Sequence, residues 1–230
     1  MKITKSSKRS FAIGLAILMT ISLLLINNVA AADNDLNLPS TPVRIEVSNG
    51  TESYFITNLM DVPSGYDVTN GTYLGWCVDM RAEMARSPAT HPVYLYSSLN
   101  PPGELASEEW DMVNYILNHK QGEAMDIQQA IWYFIHMNSS YTPTRPVAWD
   151  IVNDTLANGD GFVPEYGQTV AVICYPTTLF PDQSEVQISI IEVENTVIPE
   201  FPSVPIVLLV MLATLFVAII YKKKETRARI

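Results

Sequence analysis

Cys77, in the stretch YLGWCVDM, and the glutamine pair Gln128-Gln129, in MDIQQAIWYFIH, are the residues whose types invite chemistry. The second stretch reads as a helix with apolar residues on most of its circumference, and a buried carboxamide is costly unless it is hydrogen-bonded. On a helix, residue 128 shares its face with Ile131, Trp132 and Ile135, whereas residue 129 faces Trp132, Tyr133 and His136. Gln128 is therefore expected to point into packed protein and Gln129 to be solvated. Three fates are open to Gln128: a hydrogen bond to neighbouring backbone, a bond to water, or condensation of its carbonyl carbon with a cysteine sulfur and loss of ammonia.

Two cysteines lie outside the hydrophobic termini, Cys77 and Cys174. In an oxidising compartment a pair defaults to a disulfide. A Cys77–Cys174 bridge therefore stands beside a thioester and beside two unlinked thiols. No motif ties His91, His119 or His136 to Cys77, so a cysteine hydrolase is disfavoured, and each histidine reads as surface or boundary. There is no paired CxxC and no HExxH, so no metal is expected. NGDG at Asn158–Gly161 reads as a turn. Trp110 and Trp149 fall on apolar helix faces and read as core.

The elements that must position these residues follow from periodicity. PVRIEVS alternates Val43, Ile45 and Val47 as a half-buried strand, with ESYFITN after the Asn49-Gly50 turn as its hairpin partner. A strand runs from the Asn70-Gly71 turn through Cys77, and HPVYLYSS is another. ASEEWDMVNYILNHKQ reads as a helix capped by Ser107, DIQQAIWYFIHM as one capped by Asp126, and RPVAWDIVNDTLANG as one with Pro146 in its first turn. GQTVAVICYP and EVQISIIEVE close the chain as strands. The predicted class is α+β: a mainly antiparallel β domain with a helical insertion, plus one C-terminal transmembrane helix.

The termini set the compartment. Residues 1–32 carry Lys2, Lys5, Lys8 and Arg9, an apolar run from Phe11 to Ile26, and Ala30-Ala31-Ala32, the pattern of a secretory signal peptide cleaved before Asp33. Val204 to Tyr221 is uncharged and, as a helix, would extend about 27 Å, near the ~30 Å of a bilayer core. Lys222, Lys223, Lys224, Arg227 and Arg229 follow, which places this end in the cytoplasm. Residues 33–198 are then an extracellular domain, tethered to the cell surface by the membrane segment in 199–230. Of 14 Lys and Arg, nine lie in these termini; of 24 Asp and Glu, two lie in the C-terminal tail. The domain keeps five basic and 22 acidic residues, a formal net of −17, which argues against a nucleic-acid partner. Sequons at Asn49, Asn70, Asn138 and Asn153 are glycosylation candidates.

Two resemblances add to this reading. IPEFPS with the span and basic tail resembles the PEF-CTERM sorting signal of archaeal surface proteins, carried here by Pro199, Glu200, Phe201 and Pro202. It implies a sorting transpeptidase, of the archaeosortase type, that removes the tail and joins the protein to a membrane lipid. WCVD at Trp76–Asp79 with IQQAIW at Ile127–Trp132 resembles the thioester domains of bacterial surface adhesins, over about Tyr73 to Phe134 and more loosely in the closing strands. Gln128, Ala130, Ile131 and Trp132 match the helical motif, and Ile127 stands where that family has threonine. The resemblance implies a Cys77–Gln128 thioester, with Trp76, Asp79, Ala130, Ile131 and Trp132 around it. No cofactor is implied. The partner would be a surface ligand bearing a nucleophile, which displaces Cys77 and becomes joined to Gln128. A thiol of ordinary pKa, near 8.5, leaves readily. Such a single-use covalent adhesion module is not an enzyme. The alternative is a non-covalent binding or envelope-structural module of the same fold.

Overall fold

Alternation along β1 (Val43–Asn49) buries Val43, Ile45 and Val47 and turns the residues between them outward. A computed structural model describes residues 35–80, 82–135, 141–177 and 186–196. The expected signal peptide, the sorting motif and transmembrane segment, Asn138 and His136 lie outside them. Among the described residues no helix is long and apolar enough to cross a membrane.

The predicted β1 hairpin forms with β2 (Phe55–Met60), in register from Arg44 opposite Met60 to Asn49 opposite Phe55. β3 (Gly71–Cys77), β4 (Thr90–Ser97), β5 (Thr169–Pro176) and β6 (Ser189–Glu194) complete the sheet. All pairings are antiparallel. The order β1-β2-β3-β6-β5-β4 closes on itself through β4 and β1, so the mainly antiparallel β domain expected from periodicity is a six-stranded barrel. Among the described residues, closure gives each strand two neighbours.

The helices are inserted between β4 and β5, as the sequence order predicts: α1 (Trp110–Asn118), α2 (Ala124–Phe134) and α3 (Pro146–Asn158). Two starts differ from expectation. Ser107 does not cap α1, which begins at Trp110 after Glu109. Asp126 is not the cap of α2 but sits one turn inside it, where its carboxylate accepts the Glu123 backbone N–H at 2.9 Å in a capping box. Gly122 makes the turn before α2 with φ 71°, and a Cβ there would strike Val147.

Two cores result from strands buried on both faces. Val170, Val172 and Cys174 of β5 point into the barrel with Ile45, Phe55 and Ile191. Ala171 and Ile173, on the opposite face, pack with Ile190, Trp76 and the helices through Trp110, Ile116, Ile131 and Ile151. The barrel wall is therefore a rigid floor on which α2 is held.

Trp110 is core, as expected, but Trp149 is 37% exposed. α3 buries Ala148, Ile151, Val152 and Thr155 instead, and Trp149 lies against Tyr133 while donating its indole N–H to the Pro143 carbonyl at 3.0 Å. His91 is also unlike expectation: it is buried, with Nε2 at 3.0 Å from the Ala85 carbonyl oxygen.

Candidate functional site

β2 stops two residues short of Cys77. The β2–β3 pairing runs from Leu59 opposite Gly71 to Phe55 opposite Gly75 and then ends. On its other side β3 continues, with Cys77 opposite Ser189 of β6. The N–H and C=O of Cys77 on the vacated side need partners, since buried backbone groups are rarely left without them. Gln128 supplies both. Its Oε1 accepts the Cys77 N–H at 2.8 Å, and its Nε2 donates to the Cys77 carbonyl at 2.7 Å. The side chain thus takes the place of an absent strand, and it is fully buried, as helical spacing predicts.

The Cys77 thiol points the other way from Trp76, because successive strand residues face opposite sides. Its Sγ–H donates weakly to the Asp79 carbonyl at 3.6 Å. A cavity of about 450 Å³ opens beside it, lined among others by Tyr54, Met84, Arg86, Trp132 and Gln187. Trp132 lies one turn beyond Gln128 on α2, and its ring is wedged edge-on between Tyr54, 5.6 Å away, and Tyr141, 5.3 Å away. Arg86 lies over the Phe55 ring, 4.4 Å from its centre, and donates from Nε to the Asn49 side-chain oxygen at 3.0 Å.

Burial dominates the electrostatics. It pushes the Cys77 thiol up to about 12, against a downward pull from the Trp132 indole N–H and then Arg86, with Asp79 adding to the rise. The dry surroundings therefore favour the neutral thiol at pH 7. They also change the leaving-group argument: a sulfur so basic departs poorly as a bare thiolate. Tyr54 is likewise raised, by burial first and by Cys77 second.

Of the residues expected around Cys77, the structure brings together Gln128, Trp132 and the Asp79 carbonyl. It does not bring Trp76, whose ring is fully buried in the helix-facing core and whose Nε1 donates to Glu192 at 2.8 Å. Ala130 and Ile131 also face that core. Tyr54, Arg86 and Gln187 were not singled out from sequence; they come from distant segments, and only chain folding assembles them.

The disulfide is not formed. Cys77 and Cys174 are both free and buried. Each stands opposite Ser189, on either side of β6, so their Cα atoms are two strand spacings apart, about 9–10 Å. A disulfide needs no more than about 7 Å. Burial pushes the Cys174 thiol up to about 12 as well.

Gln129 is not solvated as expected but 7% exposed. Its Oε1 accepts the Thr144 and Arg145 backbone N–H groups at 2.9 and 3.2 Å, and its Nε2 donates to the Thr144 hydroxyl at 3.1 Å. It pins the segment that brings Tyr141 against Trp132. Among the described residues no cluster of His, Cys, Asp or Glu is arranged to hold a metal ion. The sequons at Asn49, Asn70 and Asn153 are exposed, although Asn153 lies within α3.

A comparison with solved structures matches the N-terminal thioester domain of a surface protein from Clostridium perfringens, at 15% identity and a TM-score of 0.41, over 65% of this chain and 97% of that one. No family model and no curated protein matches the chain. The reading of the site therefore rests on its own geometry and on the sequence motif.

Proposed function

We propose that the chain is a surface-anchored adhesion module whose Cys77 and Gln128 condense to an internal thioester. The observation that carries this reading is the Gln128 carboxamide, buried and held by two hydrogen bonds on the backbone of the very residue whose thiol would attack it. In the condensation, Sγ bonds to the Gln128 carbonyl carbon, the C–N bond breaks, and the thiol proton leaves with the nitrogen as ammonia. The Nε2 bond to the Cys77 carbonyl is given up. The Cys77 N–H stays on Oε1, where it polarises the carbonyl and stabilises negative charge during attack. An amine on a target surface, such as a lysine side chain, then displaces the sulfur and leaves an amide. The module acts once and does not turn over.

One observation favours a second reading. Both polar ends of the Gln128 carboxamide are already satisfied, so the fold does not need the condensation, and a non-covalent binding module of the same fold is self-consistent. Methylamine separates the two. Incubation of protein purified without amines, followed by peptide mapping, should place one methylamide on Gln128 and a new thiol on Cys77 if the thioester exists; an unmodified Gln128 after the same incubation favours the non-covalent module.

We further propose that a PEF-type sorting transpeptidase removes the tail after Pro199–Pro202 and lipid-anchors the domain outside the cell, supported by the order of motif, apolar span and basic tail. Mature surface protein should lack the ETRAR segment at Glu225–Arg229; its recovery by mass spectrometry would leave a transmembrane anchor in place.

A further inference from the structure

The four tryptophans differ in one respect. Trp76, Trp110 and Trp149 each donate their indole N–H, to Glu192 at 2.8 Å, the Leu105 carbonyl at 2.8 Å and the Pro143 carbonyl at 3.0 Å. The Trp132 N–H is buried and meets no acceptor at hydrogen-bonding geometry; the group it acts on is the Cys77 thiol, whose pKa it pulls down. A buried donor without a partner destabilises a fold and calls for an explanation. This one lines the same cavity as Cys77. Its ring is held by edge-to-face contacts with both Tyr54 and Tyr141. The sulfur is fixed too, through the Gln128 bonds to the Cys77 backbone and the contact with the Asp79 carbonyl.

We propose that the Trp132 indole N–H is the donor that meets the Cys77 sulfur as it leaves the Gln128 carbonyl carbon, making Trp132 a catalytic residue of the acyl transfer and not only a wall of its cavity. This rests on the thioester reading. When an amine attacks, its nitrogen bonds to the carbonyl carbon and the C–S electron pair returns to sulfur. The proton released by the amine nitrogen ends on that sulfur, giving the Cys77 thiol and an N-substituted Gln128 amide. Trp132 keeps its own proton throughout and only hydrogen-bonds the sulfur while charge accumulates there. A donor that contacts a neutral sulfur only loosely and binds it more strongly as charge develops favours the transition state selectively. The pull this N–H exerts on the free thiol has the same sign.

The test compares the full chain with Trp132→Phe and with a chain carrying the benzothienyl analogue of tryptophan at 132, which keeps the bicyclic ring but has sulfur in place of N–H. The analogue separates loss of the donor from loss of packing. Two quantities are read: the rate of methylamine incorporation at Gln128 at fixed pH, and the pH at which the released Cys77 thiol becomes alkylatable by iodoacetamide. Both substituted chains should still form the thioester, but methylamine should enter about tenfold or more slowly, the loss expected for one hydrogen bond to a charged atom, and alkylation should require a higher pH. Unchanged rate and unchanged alkylation profile in the benzothienyl chain would overturn the role of Trp132 alone. Absence of methylamine incorporation in the unsubstituted chain would overturn the thioester reading and this proposal with it.

Discussion

Gln128 sets both ends of its carboxamide against one residue, and that makes its removal more damaging than its position on a helix face suggests. In a Cys77→Ala background, which cannot form the thioester, Gln128→Leu puts an apolar side chain of similar size in place and leaves the residue-77 N–H and C=O without their partners. Each such loss costs about 1–3 kcal/mol, so urea unfolding should show a destabilisation of about 2–6 kcal/mol. Cys77→Ala alone retains both backbone bonds and, measured against the chain with its thioester opened by methylamine, removes only a small buried thiol, so it should cost about 1–2 kcal/mol. Equal midpoints for the two variants would show that the carboxamide does not carry this load. The burial of Gln128 was legible, because Ile131, Trp132 and Ile135 share its face. Its partner was not, because the end of β2 is a tertiary event that no local pattern announces. The thiol pKa escaped for the same reason: pairing Cys77 with Gln128 by motif says nothing about how dry the site is.

At the scale of the element, α2 is held at both ends of its glutamine pair. Gln129→Ala should free the Thr144–Arg145 segment, cost about 1–3 kcal/mol, and speed hydrogen exchange at the Thr144 and Arg145 amides; unchanged protection there would show that other contacts hold the loop. Helical spacing assigned Gln129 to solvent because it counts only neighbours on the same helix, and the covering segment arrives from residue 141 onward. Trp149 failed in the opposite sense, since an apolar residue on a helix face is buried only if something lies over it.

The start of α2 also titrates. The Arg145 side chain bonded to Asp126 holds its carboxyl below the ordinary 3.8, with the Glu123 backbone N–H adding to the effect. A carboxyl depressed on folding contributes stability that is fully present above the unfolded value and lost as pH falls through the folded one. Asp126→Asn should therefore lose less stability than the parent on acidification below about pH 4, read as a smaller fall in Tm. A parallel fall in both would place the acid sensitivity elsewhere.

At the scale of the molecule, barrel closure decides what the two cysteines can do. Strand patterns predicted the six strands among the described residues and the insertion of the helices between the fourth and fifth, but alternation alone does not distinguish an open sheet from one whose first and fourth strands meet. That meeting fixes the order in which β6 lies between Cys77 and Cys174. The thiols are kept apart, and Cys174 is left as a buried apolar group beneath β4 and β6. The same wall supports α2 from outside, so Gln128 reaches Cys77 only because the barrel end and the helix share one floor.

Intact mass of residues 33–198, purified without exposure to amines, tests the covalent reading most directly. Condensation of Cys77 with Gln128 predicts a deficit of about 17 Da, one ammonia. That deficit should be erased by methylamine, absent in Cys77→Ala and retained in Cys174→Ala. A deficit of about 2 Da would instead report the disulfide that the strand order forbids. The full sequence mass with two free thiols would contradict the thioester outright.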